Sequence, residues 1–242
     1  MKESRQPNLR PVQTSPGLFE YSFDGSPTMT AARAKRGRPP ARPDRRQSIL
    51  RAALSCFVER GFHGTAVPEI AKRAEVAAGT LYHYFPSKEA LVNELFRTWK
   101  GHVAQRILVA FPQGAPIREQ FSVMWHELLD FAKAEPQAFA FIELHNHASY
   151  LDADSRAAND NLKRFAATMI AMAQAQGLLK PLHPNVLMEL VFGAFNGLLR
   201  AHYEGRIDLD AATSAAAEQA CWDAVAIAPG PQPPRVSIAS TD

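Results

Sequence analysis

The sequence predicts an all-α fold, on three observations. Apolar residues recur three or four apart in segment after segment between residues 44 and 228, which is the repeat of one helix face. No useful length alternates with period two, so no sheet is expected. Two short helical patterns, Val67 to Arg73 and Ala78 to Tyr84, are separated by about four residues, the spacing of a helix-turn-helix.

Residues 1–43 are rich in Pro, Ser, Gly and Arg without helical periodicity and are expected to form a disordered basic arm. Translation is an open point within them, because Met29 begins a segment that reads as an ordinary start. The first helix is predicted from Asp44 to Arg60, with Ile49, Leu50, Ala53, Leu54, Phe57 and Val58 on one face. Gly61 ends it, since glycine reaches the left-handed conformation of a helix C-cap. In the helix-turn-helix, residues 66–85, Ile70, Ala71, Ala74, Val76 and Leu81 supply a small apolar wedge. Phe85 is assigned to the core and Tyr84 to the surface. Ser87 caps a longer helix whose inner stripe is Leu91, Val92, Leu95, Phe96, Trp99 and Val103. Further helices are predicted over Ile117 to Lys133, Gln137 to Ser149, Ser155 to Gln176, Pro184 to Tyr203 and Asp210 to Ile227, with Pro, Gly or Asp at their boundaries. Residues 229–242, opening Pro-Gly-Pro-Gln-Pro-Pro after Ala228, are expected to be a disordered tail. The domains are therefore 44–103 and 104–228.

Composition narrows the function classes. The 242 residues are 46% hydrophobic, ample for a packed core. No run approaches the roughly 18 to 20 apolar residues of a membrane span, and no compact apolar leader opens the chain, so the cytoplasm is expected. Cys56 and Cys221 have neither metal-ligand nor redox spacing and read as reduced apolar residues. Charge is uneven. Residues 1–100 carry 17 Lys or Arg against 9 Asp or Glu, and the remainder 10 against 15. A cationic surplus on the half that holds the helix-turn-helix points to a polyanion.

The stretch from Thr65 to Leu91, with Ile70-Ala71, Ala74, Gly79, Tyr82, Phe85 and Lys88 at fixed offsets, resembles the TetR family of bacterial transcription repressors. The resemblance covers Asp44 to Val103 well and the remainder by its helical layout. It implies an N-terminal three-helix DNA-binding domain with a helix-turn-helix, followed by an all-helical ligand-binding and dimerisation domain. It places Ala78, Gly79, Thr80 and Tyr82 at the major groove, where small residues let backbone approach base edges and the Thr80 hydroxyl and methyl can read a base. Tyr82, His83, Tyr84 and Lys88 are expected at phosphates, joined by Thr65 and by Val67 and Pro68 at the positive end of the second helix. Three positions depart from the family pattern. Glu75 stands where glycine is usual, and Ala66 and Ala77 replace capping Ser or Thr. Upstream, Lys35-Arg36-Gly37-Arg38-Pro39-Pro40 resembles an AT-hook, which would set Arg36 and Arg38 in an A·T-rich minor groove.

The same resemblance makes the last two long helices a dimer interface and the helix from Ser87 the link between halves. Leu187, Leu190, Val191, Ala194, Phe195, Leu198 and Leu199 form a broad apolar face, with Gly193 and Gly197 permitting close approach. The last helix adds Ala217, Ala220, Cys221, Ala224 and Val225. A homodimer implies two-fold operator symmetry. For a small-molecule effector, the aromatic and ionisable residues Trp125, His126, Phe139, Glu143, His147 and Tyr150 are the expected pocket. No metal or other cofactor is expected, because the His145 and His147 spacing diverges on a helix. Two rival readings stay open: an all-helical metal-dependent enzyme using His126, Glu143, His145 and His147, and a ligand-independent structural DNA binder associated with the nucleoid.

Overall fold

The computed structural model describes residues 44–145, 147 and 149–228. Among the described residues, α1 (Arg45–Gly64), α2 (Val67–Arg73), α3 (Ala78–Tyr84) and α4 (Lys88–Ala110) are followed by α5 (Ile117–Ala134) and α6 (Pro136–Phe139). A π turn (Ala140–Leu144) extends α6, and α7 (Ala153–Ala175), α8 (Pro184–Tyr203) and α9 (Ala211–Val225) complete the chain. The β-type pairing among the described residues is one isolated antiparallel bridge, Leu179 to Ala226. The chain divides into two compact units. Among the described residues, one comprises residues 44–108 together with 128–160, and the other 109–127 and 161–228.

In the first unit, the Asp44 carboxylate accepts from the Arg46 amide at 3.0 Å and starts α1. Ile49, Leu50, Ala53 and Phe57 lie fully inside on its inner face. Gly61, at φ 69° and ψ 174°, breaks the helix, and one more turn runs to Gly64 instead of the chain leaving at once. α2 and α3 occupy the spans their sequence pattern predicts, and Ile70, Ala71 and Leu81 are buried at their junction. Glu75 in the turn takes φ 56°, a conformation that costs a side-chain-bearing residue about 1 kcal/mol. The Ser87 hydroxyl accepts the Ala90 amide at 3.0 Å and caps α4.

Residues 137–149, expected as one helix, behave differently. Five successive side chains, Ala138 to Ile142, are buried, which a helix with one buried face does not do. The chain widens into the π turn there and straightens at His145. The Phe141 carbonyl accepts instead from the His147 imidazole, which folds back upon it.

The second unit is organised on Leu179, Leu187, Val225, Ala173 and Ala226, against which Ile117, Ile170, Val191 and Trp222 pack. α8 opens with His183 as cap and Pro184 in its first turn, and α9 opens with the Asp210 carboxylate accepting the Thr213 amide at 2.7 Å. The Lys180 ammonium donates to the Ala224 carbonyl at 2.6 Å, closing the C-terminal end of α9. Helix ends carry unpaired carbonyls and partial negative charge that favour such a cation. Among the described residues no helix is long and apolar enough to cross a membrane.

Ala66 and Ala77 sit at the N-caps of α2 and α3 in extended backbone with no side-chain cap. Ala66→Ser and Ala77→Ser are each expected to raise stability by about 1 kcal/mol. Chemical denaturation of the full chain measures the gain as a higher midpoint at unchanged slope.

Candidate nucleic-acid interface and apolar pocket

On α3, Ala78, Gly79, Tyr82, His83 and Tyr84 are exposed while Leu81 and the following Phe85 are buried. Thr80 is half-buried. Tyr82, at 50% exposure, is a large aromatic side chain left in solvent. The imidazole of His83 meets the Tyr84 ring edge-on at 5.6 Å. Gly79 has no atom within 4 Å of where a Cβ would stand. Glycine in a helix is unfavourable by about 1 kcal/mol relative to alanine, and nothing inside the molecule requires it at this position.

Beneath this face, α1 and α2 are tied by Arg73, which grips the Glu59 carboxylate through both terminal nitrogens at 2.6 and 2.9 Å. The pairing holds the Glu59 carboxyl below its ordinary range. Arg60 pairs with Glu69 and Arg46 with Glu94, so three cations of the head face carboxylates of neighbouring helices.

Two residues expected at the phosphate backbone are placed otherwise. Thr65 is 2% exposed, and its hydroxyl donates inward to the Gly61 carbonyl at 2.8 Å or that of Cys56 at 3.0 Å. The Lys88 ammonium donates to the carbonyls of Phe62 at 2.8 Å and Thr65 at 3.0 Å, and lies 4.2 Å from the Phe62 ring centre. The cause is common to both. The break at Gly61 leaves the end of α1 short of helical donors, and these two side chains bond to carbonyls there and at the entry to α2. Val67 is half-buried and Pro68 exposed at the start of α2. Arg36 and Arg38 lie outside the described residues.

The six residues expected around a ligand do not gather in one chamber. Phe139 is core. Glu143 accepts from the buried Lys100 ammonium at 2.7 Å. His147 donates through Nε2 to the Phe141 carbonyl and accepts at Nδ1 from the Tyr150 hydroxyl at 2.8 Å, an arrangement that fixes the neutral tautomer. The Tyr150 ring stacks on Phe62 at 4.1 Å. These four therefore form a clamp on α1 and α4 within the first unit. Trp125 and His126 belong to the second unit. There Trp125 is buried edge-on against Phe195 at 4.9 Å, and His126 is exposed and bonded to the Ser122 carbonyl of its own helix. Among the described residues no three His, Cys, Asp or Glu side chains are placed to share a metal ion.

Sequence reasoning missed Asn93. Buried on α4, it donates to the carbonyls of Glu89 at 2.8 Å and Tyr150 at 2.9 Å and accepts the Asp152 amide at 2.8 Å. Asn93 holds the loop before α7 in place. A polar residue inside an apolar stripe was the available signal.

An apolar cavity of about 80 Å³ lies wholly in the second unit. Phe111, Phe121, Phe165, Phe192 and Trp222 line it with methionine and aliphatic side chains, and Gln120 is its polar wall residue. None of the six residues expected around a ligand lines it. The pattern-based reading favoured polar and ionisable clusters and passed over a wall of plain hydrophobes. The apolar face of α8 likewise splits. Leu187, Phe195 and Leu199 turn into the unit, while Val186, Leu190, Gly193, Ala194 and Gly197 are exposed along one stripe.

The chain matches the family model of bacterial regulatory proteins of the tetR family over residues 49–95 and the tetracyclin repressor-like C-terminal domain over residues 96–227. It is 31% identical to the transcriptional regulator AcuR of Cereibacter sphaeroides over 197 residues, covering 76% of this chain and 89% of that protein. It is 32% identical over 91 residues to YuxN of Bacillus subtilis, an uncharacterized HTH-type transcriptional regulator, in a match covering 36% of this chain. The chain spans only 31% of the length of that relative. Among solved structures, a TetR family transcription regulator from Marinobacter aquaeolei superposes with a TM-score of 0.68 at 26% identity, covering 75% of this chain and 95% of that one.

The clamp makes the first unit acid-sensitive. Burial holds the His147 imidazole down to about pKa 4 from the ordinary 6.5, and the charges of His145 and Lys100 act in the same direction. Below about pH 6.5 the unfolded chain takes up a proton that the folded chain refuses until about pH 4, so stability is full above this window and lost as pH falls through it. The melting temperature is expected to drop between pH 7 and pH 4.5. The decline is expected to be shallower in His147→Gln, measured by circular dichroism at matched ionic strength.

Proposed function

This chain belongs to the TetR family of transcriptional regulators, and from that premise we propose that it is a homodimeric repressor released from a palindromic operator by a small-molecule effector. The single observation that carries the DNA-reading part is the outward face of α3, where Gly79 keeps a helix-weakening residue that no internal contact requires. Such a site lets the helix backbone come close to base edges. Tyr82, Tyr84 and His83 flank it with polar tips suited to phosphates, and Thr80 supplies a hydroxyl and a methyl. Ala78 extends the same small surface, and the start of α2 at Val67 and Pro68 adds its positive end. Lys88 and Thr65 act through the head's geometry, since their polar atoms are engaged within it. The arm with Arg36 and Arg38 is read as a minor-groove hook that adds affinity without sequence reading from the helix.

Dimerisation is read from the exposed stripe on α8 and the small residues Ala216, Ala220 and Ala224 exposed on α9. Gly193 and Gly197 have open space above them, which allows a partner helix to approach closely. A two-fold pair would set recognition helices roughly 34 to 36 Å apart, one turn of DNA. The effector is assigned to the cavity of the second unit, and the protein to the cytoplasm, at the nucleoid.

Selection of bound sequences from random duplexes at about physiological salt is expected to return a palindrome with half-sites one turn apart. Recovery of A·T-rich fragments without a shared site would favour the structural binder instead. Gly79→Ala separates folding from reading: it is expected to stabilise the chain by about 1 kcal/mol while weakening operator binding at least tenfold. Unchanged binding would remove α3 from the interface. Deleting residues 1–43 is expected to flatten the dependence of affinity on salt, because fewer counterions are released.

A further inference from the structure

The walls of the cavity in the second unit specify more than the presence of an effector. We infer that they select a compact, uncharged molecule, a single ring or short chain carrying one hydroxyl. This rests on the reading that the second unit is the sensory half.

Charge is disfavoured by the composition of the wall and by the pairing of a cation that backs it. No Asp, Glu, Lys, Arg or His is among the lining residues. A carboxylate or ammonium entering there would lose its water and gain no opposite charge. Arg118 stands behind the aromatic wall, with its guanidinium 5.4 Å from the Trp222 ring centre and 5.9 Å from that of Phe121. That guanidinium is already paired with Glu218, itself 5% exposed, and donates to Gln219 at 2.9 Å. The buried Glu218 carboxylate already offsets its charge, so an anionic ligand would meet a neutralised pair rather than a free cation. The pair instead braces two of the rings against which a ligand would lie.

Size and polarity follow from the remaining wall. The cavity, about 80 Å³, is roughly half the ~150 Å³ of an engineered protein cavity that accepts benzene. Met124, Met169 and Met188 line it, and unbranched thioether side chains shift more readily than branched ones. A modest repacking therefore admits one ring and excludes a larger rigid skeleton. Gln120 supplies the polar feature. Its Nε2 donates to the Ala115 carbonyl at 2.9 Å, which leaves Oε1 as the amide atom able to accept from a ligand. A ligand hydroxyl fits that acceptor, and a second polar group would find no counterpart on the wall.

The test compares benzyl alcohol with benzoate by titration calorimetry on the full-length protein at pH 7.5 and equal ionic strength. Benzyl alcohol is expected to bind saturably and at least tenfold more tightly than benzoate. Gln120→Leu is expected to weaken benzyl alcohol several-fold while leaving toluene unchanged, and Ala166→Phe, which fills the cavity, to abolish binding of both. Benzoate binding as well as the alcohol overturns the inference, as does benzyl alcohol failing to saturate below its solubility. Binding unaltered in both variants also overturns it, by placing the molecule elsewhere. Release of the selected operator is measured separately. Benzyl alcohol that binds but leaves the DNA complex intact refutes the regulatory reading and keeps the ligand class, whereas benzoate that releases DNA does the reverse.

Discussion

Carbonyls freed where α1 breaks at Gly61 need donors, and the way they obtain them fixes the DNA-reading head. Gly61 adopts φ 69°, so the regular amide-to-carbonyl ladder cannot continue through it. The Thr65 hydroxyl and the Lys88 ammonium supply the missing hydrogen bonds, one from the start of α2 and the other from the start of α4. Phe62, in the turn between, carries the Lys88 cation on one side and stacks on Tyr150. One small polar junction therefore sets the positions of three helices and of the segment that clamps them. Surface pairs such as Arg73 with Glu59 add to it, although exposed pairs are worth only about 0–1 kcal/mol each.

This junction also explains where the sequence was legible and where it was not. Helical periodicity located α2, α3 and α8 at their observed ends, because each is bounded by residues with strong local preferences: Pro68, the turn around Glu75, Pro184. The alanine caps and the strained Glu75 were visible as departures from a pattern. Thr65 and Lys88, expected at phosphates, bond to carbonyls inside the head, since a hydroxyl and an ammonium beside a DNA-reading helix look the same in sequence whether they face phosphate or a stray carbonyl. The cluster Glu143, His147 and Tyr150 failed for a related reason. Ionisable groups near aromatics suggested a binding chamber, but the buried Lys100 and the Phe141 carbonyl already complete their hydrogen bonding. The cavity in the second unit has no such advertisement, because a wall of Phe, Met and Leu has the same sequence signature as ordinary core.

The division of the chain bears on how the two functions communicate. α4, expected to link the halves, lies in the first unit except for its last two residues. α5 and α7 are divided more evenly between the two units. Phe121 and Met124 of α5 and Phe165 and Met169 of α7 line the cavity. Farther along the same two helices, Phe131 packs near Trp99, and Ser155 accepts from Arg97 and bonds to the Asn93 carbonyl.

The energy required for such a signal is set by the head it must move. A ligand shifts an equilibrium only by the difference in its affinity for the two states, and a swing from 1:99 to 99:1 requires about 5.5 kcal/mol, or roughly half of that per site when a two-fold dimer binds two molecules. The best very small ligands reach about 1.5 kcal/mol per heavy atom, so one ring with a hydroxyl suffices only if much of its binding is spent on one state. A head with two uncapped helices and a strained turn residue lowers the demand. On the proposed reading, a head so weakly held needs less energy to change its fit to DNA. On the same reading, local weakness in α2 and α3 and a small apolar cavity in the second unit are consistent parts of one device: a minor ligand acts best on a reading head that is only just held in place.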